Sequence, residues 1–125
     1  MSKPLCVSAL LLSLAAVPAL AEGDVANGEK VFKKCMACHT ADAATNKVGP
    51  YLKGVVGRKA ATVEGYKYSA DLVALGEAGT VWDDANLDKY LENPKTMAPK
   101  GKMAFPGLKK PDERADLIAW LKTKL

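Results

Sequence analysis

The five residues Cys35-Met36-Ala37-Cys38-His39 restrict this chain more than any other stretch. Two thiols three positions apart, followed at once by histidine, form the pattern that attaches haem covalently. Each cysteine sulfur can add to one vinyl group of the porphyrin edge, and one helical turn brings both within reach. The imidazole of His39 then meets the iron from one face. His39 is the only histidine in the chain, so no other imidazole competes for that place. Two other chemistries use similar residues. A structural zinc site takes four Cys or His ligands, and Cys35, Cys38 and His39 supply three. A redox-active Cys-x-x-Cys expects a βαβ setting, and no alternation of strands and helices surrounds this one.

The first residues read as a leader. Lys3 gives a short positive start, Leu5 to Val17 is an apolar run, Pro18 breaks it, and Ala19-Leu20-Ala21 has the small residues of a cleavage site. The expectation is a secretory signal peptide over residues 1–21, with Glu22 opening the mature chain. The apolar run is shorter than the roughly 20 residues of a membrane span. Cys6 leaves with the leader, and the two remaining thiols are both accounted for by the haem. Thioether attachment suits an oxidising compartment, where a free pair would tend to form a disulfide. The reading is therefore a periplasmic protein of one small domain, residues 22–125.

Helical spacing predicts a first helix from Asp24 to about Lys34, with Gly28, Val31, Phe32 and Cys35 on one face. Glycine inside a helix costs about 1 kcal/mol relative to alanine, so Gly28 marks either a close helix approach or a weak point. Residues 40–65 read as loop, punctuated by Gly49-Pro50, Gly54, Gly57 and Gly65. Ser69 is expected to cap a short helix closed by Gly76, and Asp83 or Asp84 the next, which Asn93-Pro94 ends. Residues 96–110 read as a Pro/Gly-rich loop. A last helix, from about Asp112 to Lys124, carries Leu117, Ile118, Trp120 and Leu121 as its apolar stripe.

The second axial position of the iron needs a ligand or stays open. Without a second histidine, a methionine thioether is the natural soft donor, and a His/Met pair raises the reduction potential. Met36 lies between the two tethers and cannot reach the opposite face. Met97 and Met103 both lie on the Pro/Gly-rich loop, and the residues alone leave that choice open.

The stretch Asn93 to Lys110, NPKTMAPKGKMAFPGLKK, closely resembles the ligand loop of class I cytochromes c. In that family the methionine follows Pro-x-x-Lys, which here selects Met103 after Pro99 and Lys102. The resemblance extends from Glu22 to Leu125 through GDVANGEKVFKKCMACHT, VGPYLKGVVGR, GYKY, VWDDANLDKYLENPK and ERADLIAWLK. It implies an all-α fold wrapped around one covalent haem c, with His39 and Met103 as axial ligands. It further implies that the Pro50 carbonyl accepts the His39 Nδ1 proton and that Arg58, Tyr68 and Trp82 serve a haem propionate. Tyr90 would approach the Met103 sulfur, Phe105 would cover the haem edge, and Gly28 with Phe32 would pack against Leu117 and Trp120. Two features set the chain apart. It has Lys100-Gly101 where many members have Gly-Thr, so a hydroxyl beside a propionate is missing. The segment between Tyr68 and Trp82 is longer than in the mitochondrial proteins, as in a bacterial cytochrome c2.

The chain has 18 basic and 14 acidic residues, a formal charge of +4, and loss of Lys3 with the leader lowers it to +3. In the implied fold, Lys34, Lys47, Lys95, Lys100, Lys102, Lys109 and Lys110 would ring the exposed haem edge. Such a ring steers a protein onto acidic docking faces. With both axial positions filled by protein, iron has no place for a substrate. The functional expectation is a monomeric one-electron carrier, not an enzyme. The resemblance implies transient partners at the membrane, a cytochrome bc-type complex as donor and a photosynthetic reaction centre or terminal oxidase as acceptor. Nucleic acid is not an expected partner. The alternatives are a five-coordinate haem enzyme or gas sensor, and a thiol–disulfide reductase using Cys35 and Cys38.

Overall fold

The computed structural model describes residues 22–125, so the expected leader lies outside the described residues. Five helices follow in order: α1 Val25–Phe32, α2 Ala70–Glu77, α3 Asp84–Glu92, α4 Pro94–Met97 and α5 Pro111–Leu121. Among the described residues the only β pairing is an isolated bridge between Lys59 and Val81.

α1 begins where Asp24 accepts the Asn27 N–H at 2.9 Å, as an N-cap does. It ends earlier than its spacing predicts. From Lys33 the backbone tightens into bonds to the third residue back, with Cys35 N donating to Phe32 O at 2.8 Å. α5 starts on Pro111, whose missing N–H is no loss in a first turn, and Asp112 and Glu113 suit the positive helix end.

These two helices cross at Gly28. A Cβ there would overlap Asp116 O and stand 2.7 Å from Trp120 Cβ, so only glycine lets the backbones meet. Phe32 and Trp120 then pack together, their ring centroids 4.6 Å apart and their planes tilted by 33°. Asp116 returns across the joint, its Oδ1 accepting the Asp24 N–H at 2.7 Å. The close-approach reading of Gly28 is the correct one. Leu117, 1% exposed, lies at the centre of a core that also takes in Val31, Phe32, Leu87, Ile118, Trp120 and Leu121.

α2 differs from expectation at its end. Ser69 caps it as predicted, accepting from Leu72 N, but Gly76 lies inside the helix, buried against Ala60 O. The chain turns instead at Gly79, whose φ is +85°, a left-handed conformation that glycine adopts without strain. Asp83, not Asp84, caps α3. Asn93 ends α3 and at once caps α4, a single turn that the loop reading omitted. Pro94 disfavours helix at Asn93 yet fits the first position of a new one.

One charged residue of α5 is buried. Arg114, 6% exposed, donates from Nε to Asp88 Oδ1 at 2.7 Å and from Nη1 to Leu108 O at 2.9 Å. This fastens α5 to α3 and to the root of the loop over 98–110. Residues 57–60 and 80–82 also pair. Gly57 N donates to Trp82 O and Trp82 N to Arg58 O, both at 2.8 Å, and Ala60 N donates to Thr80 O at 2.9 Å.

Candidate haem site

The turn that ends α1 carries the attachment motif. Cys38 N and His39 N both donate to Cys35 O, at 3.1 and 3.0 Å. Cys35 and Cys38 thus stand one turn apart, both as free thiols and both half-buried. Lys47 Nζ donates to Met36 O at 2.7 Å and holds the middle of the turn. Burial pushes the Cys35 thiol up to about 11. A redox-active dithiol works through a depressed pKa, so the shift runs against the thiol–disulfide alternative.

His39 is oriented by its neighbours. Its Nδ1 lies 2.8 Å from Pro50 O. A carbonyl oxygen can only accept, so Nδ1 carries the proton and Nε2 keeps its lone pair. That is the tautomer a metal-binding imidazole needs, with the outer bond fixing the ring. Burial lowers the His39 pKa, which favours the neutral ring, while the Pro50 bond opposes the shift. Gly49 passes flat across the imidazole. A Cβ there would overlap His39 Cε1 and lie 2.7 Å from Nδ1 and 2.9 Å from Nε2. In the sequence, Gly49 was visible only as loop punctuation.

From Pro50 a chain of contacts leads through four of the other expected pocket residues, Arg58, Tyr68, Trp82 and Tyr90. Next to it, Tyr51 O accepts Arg58 Nη2 at 3.0 Å, and the Arg58 guanidinium lies 5.3 Å from the Tyr51 ring centre. Arg58 is half-buried, not a freely solvated surface arginine. The backbone pairing described above sets Arg58 beside Trp82, and Tyr68 lies near enough for the Arg58 guanidinium to favour ionisation of its hydroxyl, against the larger upward effect of burial. Tyr68 Oη accepts the Val63 N–H at 3.1 Å, leaving its own proton free to donate. Trp82 is buried with its ring 4.9 Å from Tyr90. Burial pushes the Tyr90 hydroxyl up to about 12. Arg58, Tyr68, Trp82 and Tyr90 therefore gather as one group, although they come from four separate stretches.

The apolar wall has a matching character. Cys35, Leu52, Leu72, Leu91, Met97 and Phe105 pack on the core while keeping part of their surface uncovered. Met103 is half-buried in the segment 98–110. Two unpaired thiols, an imidazole lone pair, donor groups at Arg58 and Tyr68 and an apolar wall fit a porphyrin with acidic side arms. The seven lysines expected around its edge are all exposed. A separate groove of about 550 Å³ between the start of α1, α3 and α5 is lined by Asp84, Asp88, Arg114 and Ile118 among others, and includes none of the haem-site residues.

The family model described as cytochrome c matches residues 25–124. Cytochrome c from Sesamum indicum is 53% identical over 102 residues, covering 80% of this chain and 89% of that protein. Cytochrome c2 from Rhodomicrobium vannielii is 50% identical over 107 residues, covering 85% and 83%. The solved structure of cytochrome cH from Methylobacterium extorquens superposes with a TM-score of 0.74 at 48% identity, over 82% of this chain and all of that one. The fold, the attachment turn and these likenesses agree: the chain belongs to the cytochrome c family, as a cytochrome c2-like electron carrier with one covalent haem c and not an enzyme.

Proposed function

We propose that residues 22–125 act in the periplasm as a one-electron carrier with His39 and Met103 as the axial ligands of the iron. Residues 1–21 are the signal peptide that takes the chain there. The haem supplies the one-electron couple. The protein supplies a fixed coordination shell, so the two oxidation states differ little in geometry and exchange stays fast. The observation that carries the reading is the His39 Nδ1 to Pro50 O bond at 2.8 Å, beside two free thiols one turn apart. It prepares one nitrogen lone pair for a metal. Arg58, Tyr68 and Trp82 serve the propionates, and Tyr90 and Phe105 close the pocket around Met103.

The donor is a cytochrome bc-type complex, and the acceptor is a photosynthetic reaction centre or a terminal oxidase. The lysine-rich surface and the relatives named cytochrome c2 support this reading. Among the described residues no helix is long and apolar enough to cross a membrane, and contact with these complexes is peripheral and transient.

The test is the ferric absorption spectrum. Met103→Leu should abolish the weak far-red band of sulfur ligation, lower the reduction potential and open the iron to added ligands. Met97→Leu should leave all three unchanged. Loss of the band in the Met97 variant, or in neither, would overturn the ligand assignment.

A further inference from the structure

The segment over 98–110 is fastened well at its ends. Gly101 N donates to Ala98 O at 2.9 Å, and Leu108 N to Leu91 O at 2.7 Å. Arg114 Nη1 holds Leu108 O, and Lys109 Nζ reaches Glu92 O at 2.8 Å. Between these anchors, among the described residues, no backbone group of residues 102–107 bonds to another backbone group. The stretch around Met103 therefore depends on side-chain ties.

Two such ties reach one short piece of chain at the start of α2. Lys102 Nζ donates to Lys67 O at 3.2 Å, and Asp71 Oδ2 accepts the Lys100 backbone N–H at 2.5 Å. Both are exposed, and each has one ionised partner and so is charge-assisted. They differ in what they hold. The first needs a long, flexible lysine side chain kept in place, whereas in the second a short carboxylate holds the Lys100 backbone N–H itself and so acts on the loop's main chain directly. Asp71 is half-buried in the first turn of α2, where the helix favours a negative charge. Ser69 caps that turn, its Oγ accepting the Leu72 N–H at 3.4 Å, and does not itself touch the carboxylate. The tie lies three residues before Met103, and it comes from the Tyr68–Trp82 segment, which is longer than in the mitochondrial proteins.

We propose that Asp71 is a positioning residue for the axial-ligand loop, its carboxylate holding Lys100 N–H and so setting how readily Met103 leaves the iron. The inference rests on Met103 being the ligand. The Asp71–Lys100 bond must break, or the loop must bend around it, before a foreign ligand can enter. Electron transfer in the closed state does not use Asp71, so the residue governs access to the iron and not the resting couple.

Imidazole binding to the ferric holoprotein at neutral pH reads this directly, because the ligand enters only after the methionine departs. Asp71→Ala should raise both the apparent affinity and the limiting entry rate roughly tenfold, as loss of one charge-assisted bond implies. Asp71→Asn keeps an oxygen that can accept the same N–H and should restore at least half of the difference on a logarithmic scale. Ser69→Ala loosens α2 but leaves the carboxylate, and should change imidazole entry far less than Asp71→Ala. Wild-type entry in Asp71→Ala, no rescue by asparagine, or an equal effect of Ser69→Ala would overturn the proposal. Met103→Leu in the same assay separates the two readings. If it binds imidazole no better than wild type, the ligand assignment fails. If it opens the site while Asp71→Ala does not, only the role of Asp71 falls.

Discussion

The imidazole of His39 is held by the residues that follow it, and Gly49 is the tightest of them. An added methyl group there overlaps His39 Cε1, and the ring cannot retreat without stretching its bond to Pro50. Gly49→Ala should therefore weaken axial ligation and destabilise the holoprotein by about 1–3 kcal/mol, the usual cost of overpacking a filled site. Guanidinium unfolding and the visible spectrum check it together, and an unchanged spectrum with wild-type stability would contradict the geometry. Tyr90 gives a pH signature. Its hydroxyl rises from an ordinary value of 10.0 to about 12, mainly through burial. The folded protein thus keeps this proton to a higher pH than the unfolded chain does. The stability it contributes is complete below about pH 10 and drains away as pH climbs towards 12. Tyr90→Phe should flatten that decline. Unfolding of the ferrous protein at pH 9 and pH 11 measures it, and an equal pH dependence in the two proteins would refute it. At this scale the sequence showed Cys35, Cys38 and His39 openly, because their spacing is itself the chemistry. Gly49 stayed hidden, because its role depends on what crosses it.

At the scale of elements, the α1–α5 joint organises the molecule. Gly28→Ala removes a helix-weakening glycine, worth about 1 kcal/mol in isolation, yet its methyl group would overlap Asp116 O. Backbone cannot yield as a flexible side chain can, so the clash outweighs the propensity gain. We expect a net loss of about 1–3 kcal/mol and a weaker Phe32–Trp120 contact, read by guanidinium unfolding and near-UV dichroism. A stabilised variant would show that the helices can move apart at no cost. Helix starts were the most legible feature: Asp24, Ser69 and Asp83 all cap through side chains that accept from a backbone N–H. Ends were less so. Gly76 looked like a stop but is a contact point, and the turn of α4 follows so closely on α3 that one asparagine serves both.

Over the whole molecule, charge placement matters more than net charge. Lys34, Lys47, Lys95, Lys100, Lys102, Lys109 and Lys110 are exposed, while Asp84, Asp88 and Asp112 line the groove by α3 and α5. If the lysines guide docking, the second-order rate of reduction by a bc-type complex should fall steeply as salt rises from about 10 to 200 mM, across which the screening length shrinks from roughly 30 Å to below 10 Å. A flat salt profile in stopped-flow measurements would remove the steering argument. The attachment motif, the Ser69 cap and the apolar stripe of α5 were settled by the sequence itself, because each depends on residues within a turn or two of one another. The meeting of Arg58, Tyr68, Trp82 and Tyr90, of which the family resemblance implies only a part, the burial of Arg114 against Asp88, the passage of Gly49 across His39 and the hold of Asp71 on Lys100 were decided by the tertiary structure. Each joins residues that local spacing cannot relate, and each depends on which backbone groups the packed helices leave within reach.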